Sequence, residues 1–325
     1  MRKYLLHILI ISFIFLLAPT VHVASYAGEL EDAKEEVRKN PDDEQAHFNL
    51  GNACGRLGKY KEAIETYKQV IRINPDNAGA HSELGVVYER FGMYKEAIES
   101  HKQAIRINPD YENVHYNLGA AYHISGMYIE AIEAFKQAIR TAPDDADAHY
   151  NLGDAYIGLG MYGTAIDAFK QAIKINPDYA SAHSGLGVAY GKLGMYKEAI
   201  ESHKQAIRIY PDYEGAHGSL GFAYIGLGMF QEGMESLKQA IKIDPDYARA
   251  HSNLGSAYIG LGMYKEAIEA LKQAIKIDHD FAGAHYNLGL AYFYLNDRGS
   301  ALEQYKILKN LDSELANKLF NIIYK

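Results

Sequence analysis

Prolines stand at 41, 75, 109, 143, 177, 211 and 245, each 34 residues from the last, and the next step lands on His279 in the same Asp-flanked setting. A period of this length marks stacked copies of one supersecondary unit, because no unit so small can bury its own apolar face. Each copy reads as two helical segments. In 248–278, His251, Leu254, Gly255 and Tyr258 fall on one helical stripe, and Ala267, Ile268, Leu271, Ala274 and Ile275 fall on another. Gly262 between them accepts the left-handed conformation that ends a helix, and the Pro-Asp or His-Asp pair stops the second segment. Strand-like alternation is absent, which excludes a propeller. The period therefore predicts an all-α solenoid of antiparallel helix pairs.

Small residues recur with the same period. Gly51, Gly85, Gly119, Gly153, Gly187, Gly221, Gly255 and Gly289 sit in the middle of every first helix, where glycine costs about 1 kcal/mol relative to alanine. The expected reason is close approach of the second helix, which carries Ala63, Ala97, Ala131, Ala165, Ala199, Ala267 or Ala301. Tyr88, Tyr122, Tyr156, Tyr190, Tyr224, Tyr258 and Tyr292 are expected to fill the seam toward the neighbouring hairpin.

The run His149-x2-Leu152-Gly153-x2-Tyr156…Ala165-x3-Phe169…Pro177, with His47-x2-Leu50-Gly51 in the first copy, resembles the tetratricopeptide repeat family over eight copies spanning 44–311. Departures from the family pattern are His for Trp throughout, Cys54 for Tyr, Gly233 for Ala, Asn296 for Gly and His279 for Pro. The resemblance implies a right-handed superhelical solenoid with a concave groove lined by the first helices. Solenoid ends need polar-faced caps. Residues 28–43, with ELEDAKEEVRK at 29–39, read as an N-terminal capping helix. Residues 312–325, with Leu315, Leu319, Phe320 and Ile323 on one side, read as its C-terminal counterpart.

Residues 1–27 differ in kind. Arg2 and Lys3 precede an apolar run from Tyr4 to Ala18, and Ser25-Tyr26-Ala27 offers small residues for a signal peptidase. The run is shorter than the roughly 20 residues that span a bilayer, so cleavage near Ala27 is expected; the alternative is an uncleaved tether. Either way the repeats are expected to be exported, periplasmic or extracellular, with membrane contact only if the leader is retained. The formal charge of −8 becomes about −10 without the leader. That acidity excludes nucleic acid, which needs a clustered basic face.

Eight histidines share one repeat position, from His47 to His285. Equivalent positions on packed helices lie roughly 8–10 Å apart, whereas zinc holds its nitrogens at about 2.0–2.1 Å, so the ladder reads as half-buried structural rings and no metal or other cofactor is expected. His101 and His203 stand where other copies have Tyr, Phe or Leu and read as packing residues. Cys54 reads as a buried hydrophobe. No nucleophile beside a base and no carboxylate pair breaks the period, so an enzyme is not expected.

Binding is the remaining function. In the resembling family the groove positions lie one and two before the Leu-Gly pair and one, four and five after its Gly. Here they supply an asparagine series, Asn49, Asn117, Asn151, Asn253 and Asn287, able both to donate and to accept toward a peptide main chain; a structural role for these amides is equally open. They also supply Phe48, Tyr116, Tyr150, Phe222, Ile225, Ile259, Tyr286, Leu290 and Phe293, since apolar groups in a groove mark partner sites. The family's two-Lys carboxylate clamp is not reproduced, because Phe48 stands where its first Lys is required. The expected function is an exported interaction scaffold for a protein or peptide partner. A self-assembling scaffold of an envelope complex is the alternative.

Overall fold

The computed structural model describes residues 27–111 and 113–324, in which eighteen helices and no strand occur. The expected leader lies outside the described residues except for Ala27, which opens helix α1 (27–39). First helices of the repeats are α2 (Glu44–Arg56), α4 (Ala78–Arg90), α6 (Val114–Ile124), α8 (Ala146–Gly158), α10 (Ala180–Lys192), α12 (Glu214–Gly226), α14 (Ala248–Gly260) and α16 (Ala282–Tyr294). Second helices are α3 (Tyr60–Ile73), α5 (Tyr94–Ile107), α7 (Tyr128–Thr141), α9 (Tyr162–Ile175), α11 (Tyr196–Ile209), α13 (Phe230–Ile243), α15 (Tyr264–Ile277) and α17 (Arg298–Leu311); α18 (Ser313–Ile323) ends the chain. The fold is an all-α solenoid. It divides between Asp144 and Asp145 into two compact units, one holding α1–α7 and the other α8–α18. No helix among the described residues is long and apolar enough to cross a membrane.

Turn chemistry explains the element boundaries. Gly262 ends α14 at φ 75°, and the other six turn glycines behave alike. The eighth turn has Asn296 in that place, at φ 62°, because asparagine is one of the few residues that tolerate this region. After most second helices, though not after α7 or α11, where Ala142 and Tyr210 stand, an Asn or Asp side chain accepts the amide two residues on: Asn74 from Asp76 at 3.1 Å, Asn176 from Asp178 at 3.2 Å, Asp278 from Asp280 at 3.2 Å. This Asx-turn reverses the chain into the next hairpin. Asp43 and Asn77 then cap α2 and α4 by accepting from Ala46 N at 3.3 Å and Ala80 N at 2.7 Å.

Within the first seven hairpins the glycine notch also holds a large side chain of the closely packed second helix. A Cβ on Gly119 would lie 2.7 Å from the Phe135 ring, on Gly153 2.8 Å from Phe169, and on Gly255 2.5 Å from Leu271. Tyr67, His101, His203 and Leu237 fill the equivalent notches, and the periodic alanines are wholly buried. At Gly221, which faces Gly233, a carbonyl oxygen of the second helix also lies 3.0 Å from the missing Cβ. In the eighth copy Leu319 of α18 enters the notch of Gly289 at 2.5 Å. The seam tyrosines reach the preceding hairpin as expected: Lys102 lies 5.8 Å from the Tyr122 ring and Lys204 5.9 Å from Tyr224.

Candidate functional site

The histidine ladder has a structural explanation. Nε2 of His47 donates to the Pro41 carbonyl at 2.8 Å, His81 to Pro75 at 3.1 Å, His183 to Pro177 at 2.9 Å and His251 to Pro245 at 3.0 Å. A carbonyl only accepts, so each of these rings carries its proton on Nε2. His285 makes the same bond, at 2.9 Å, to the carbonyl of His279; the interaction uses the main chain and survives the loss of the proline ring. Among the described residues no three His, Cys, Asp or Glu converge as a metal site. Cys54 is buried, and burial pushes its thiol up from the ordinary value.

The groove positions divide by environment. Phe48 lies edge-on to Tyr67 at 5.7 Å, Tyr116 to Phe135 at 5.9 Å, and Tyr150 rests on Phe169 at 5.8 Å and on Tyr179 at 5.2 Å. Each thus leans on the ring that fills a glycine notch, and burial pushes the Tyr150 phenol up to about 12. Ile225 packs on the cluster of Met234 and Leu237, and Ile259 on that of Ile268 and Leu271. Tyr286, Leu290 and Phe293 pack on Leu308 and Leu319 beneath the C-terminal helix. These last five are half-buried, each with one side against a core cluster. Phe222 is different: it is 48% exposed, edge-on to Tyr196 at 6.4 Å.

The asparagines are equally uneven. Asn49 accepts from Gln45 at 2.9 Å and faces the acidic residues Glu29, Asp32 and Glu36 of α1 across a small cavity. Asn151 donates to its own helix at Asp147 O, 2.9 Å, and Asn287 to Ser256 Oγ of the preceding first helix, also 2.9 Å. Asn117 is half-buried in α6. Asn253 is half-buried and lines an open cavity of about 390 Å³ among α10, α12, α14 and α16.

That cavity, within the second unit, is where the sequence features converge. Phe222, Tyr247 and Phe281 give it apolar surface, Asn253 and Asn287 give it amides, and Lys192 and Arg249 give it positive charge. Both cations are exposed, and neither has a carboxylate within ion-pair distance among the described residues. Burial raises the Tyr247 phenol, and Arg249 opposes that shift. His203 forms part of the wall and is 2% exposed; burial pushes its imidazole down to about 4. Sequence reasoning assigned His203 to packing and passed over Lys192, Tyr247, Arg249 and Phe281. Their signal lay in the lateral stacking of four first helices, which a linear period does not display.

Comparison with known proteins agrees with this architecture. Family models described as TPR repeat match 51–92, 91–126, 122–160, 153–194, 223–262 and 257–296, and a tetratricopeptide repeat model matches 180–213. No curated protein sequence matches. Among solved structures the chain is similar to the APC/C hetero-tetramer Cut9-Hcn1, at 17% identity and a TM-score of 0.63, covering 82% of this chain and 52% of that one. The chain thus spans about half the length of that relative. A tetratricopeptide repeat protein from Parabacteroides merdae aligns at 18% identity and a TM-score of 0.62, covering 80% of this chain and 99% of that one. A thermophilic TPR protein of Thermus thermophilus aligns at 27% identity and a TM-score of 0.50, covering 55% of this chain and 100% of that one. Such folds serve as protein–protein interaction scaffolds, generally without catalysis. With repeat models over more than half its length, the chain belongs to the tetratricopeptide repeat family.

Proposed function

We propose that this protein is an exported scaffold that holds a peptide segment of a partner protein in the cavity among α10, α12, α14 and α16. The observation that carries the reading is the exposed Phe222 beside Asn253, Tyr247 and Arg249. An apolar anchor site with a few convergent polar groups is the usual make-up of a recognition pocket. The half-buried amide of Asn253 offers a donor and an acceptor to a main chain. The leader expected over 1–27 supplies the export, and retention of that leader would leave the scaffold tethered.

Photocrosslinking from position 222 of the full chain, with Glu269 on the exposed face of α15 as control, tests this reading. Adducts to a second protein at 222 alone, weakened by Asn253→Ala, are the expected outcome. Adducts only between copies of this chain, or only from position 269, would replace it with a self-assembling scaffold. The intact mass of the protein recovered from cells tests the leader: a mature form beginning near Gly28 is expected.

A further inference from the structure

Helices α5 and α11 have the same fourteen residues, YKEAIESHKQAIRI, three repeats apart. Each sends its buried histidine, His101 or His203, into the notch of a first-helix glycine, Gly85 or Gly187. The rings differ in what faces them. Nε2 of His101 donates to Glu89 Oε1 of α4 at 2.9 Å, and burial pushes the carboxyl of Glu83 on the same helix up, an effect that nearby His101 opposes. Three repeats on, the residues aligned with Glu83 and Glu89 are Gly185 and Gly191. The carboxylate that Nε2 of His101 donates to is thus missing at His203; Nδ1 is without a hydrogen-bond partner in both rings among the described residues, so the two differ at Nε2.

Gly185 is closed off by the Phe169 ring, 2.7 Å from where its Cβ would stand, but a Cβ on Gly191 would meet nothing within 4 Å. Space has therefore opened beside an almost wholly buried imidazole, and that space is part of the cavity holding Phe222. Charge points to what completes it. Lys192 and Arg249 line the same cavity without carboxylate partners in a chain whose formal charge is −8.

We propose that the cavity takes a carboxylate from the partner peptide, an Asp or Glu side chain or a chain terminus, seated over Gly191 against His203 where Glu89 sits in the second repeat. An adjacent aromatic or aliphatic side chain of the same peptide packs on Phe222. Neutral His203 donates from Nε2, so the bond needs no prior protonation, and Lys192 and Arg249 add charge attraction. The inference rests on the peptide-groove reading and deepens it.

A library of random peptides with blocked ends and free ends, displayed against the full chain, provides the probe. Selected peptides are expected to carry a carboxylate beside an apolar residue and to lose about tenfold or more in affinity when that carboxylate becomes an amide, the range expected for a hydrogen bond to a charged group. In His203→Phe, which supplies the ring that Phe169 already places in such a notch, the acid-to-amide ratio should fall severalfold, leaving only the part that Lys192 and Arg249 contribute. Gly191→Glu should do the same by providing the acid internally. Two outcomes overturn the inference: peptides that depend on Phe222 but show no carboxylate preference, or a preference unchanged in His203→Phe. Either of these leaves the groove reading standing. If no selected peptide depends on Phe222, the groove reading fails with it.

Discussion

At the residue scale the glycines separate two roles that look alike in a list of repeats. Gly153 lies against Phe169, and a Cβ there would stand 2.8 Å from its ring, whereas Gly163 in α9 faces open space. Gly163→Ala should stabilise by about 0.5–1 kcal/mol through helix propensity and the unfolded chain. Gly153→Ala should destabilise by about 1–2 kcal/mol, because overpacking exceeds the propensity gain. Urea denaturation of both variants checks the opposite signs. His203 makes a second residue-scale prediction. Its pKa of about 4 lies below the ordinary 6.5, so the unfolded chain binds the extra proton and stability falls as pH drops from 6.5 toward 4. The loss is on the order of 3 kcal/mol. His203→Phe should remove that component of the pH dependence while leaving the contribution of the carboxylates; a difference between the two proteins that stays constant over this window would refute it. The position of every glycine and histidine was legible in the sequence, but their neighbours were not. Gly153 and Gly163 differ only in what another helix places beside them, and His101 and His203 sit in identical fourteen-residue runs.

At the element scale the hairpins follow from spacing, since each combines an apolar stripe, a left-handed turn residue and a Pro-Asp stop. Element boundaries were accordingly readable, including the C-terminal helix with Leu315, Leu319 and Ile323 on one side. What the spacing could not show is how that helix reaches back. Leu319 enters the notch of Gly289, and it is fully buried. It occupies the place that a second-helix side chain holds in the inner repeats, and so α18 closes a core that would otherwise end on an exposed face. The same cluster has Tyr286, Leu290 and Phe293 packed against it, half-buried. Leu319→Ala should cost about 2–5 kcal/mol locally, the usual range for such a truncation. Hydrogen exchange is expected to quicken first in α16, α17 and α18. Uniform acceleration across α8–α18 would instead mean that the terminal helix is not a separate cap.

At the scale of the whole molecule, repetition determines how stability is distributed. Within each unit the hairpins pack on their sequence neighbours through the same seam, so stability should approach a sum of repeat and nearest-neighbour terms rather than one cooperative core. Phe135 in α7 and Leu271 in α15 fill equivalent notches in different units, and both are wholly buried. Phe135→Ala should cost about 3–5 kcal/mol and Leu271→Ala about 2–5 kcal/mol. In a single globular core either loss would lower protection throughout. Here Phe135→Ala should speed amide exchange in α6 and α7 and leave α14–α16 as they were, while Leu271→Ala does the reverse. The double variant should be additive within about 0.5 kcal/mol, as expected for distant sites without shared partners. Coupling well above that value, or exchange that quickens in both units from one substitution, would show that the repeats unfold as one. Independence of this kind also bears on function, because a cavity built from α10, α12, α14 and α16 can then vary its lining, as Gly191 does relative to Glu89, without disturbing the repeats of the first unit.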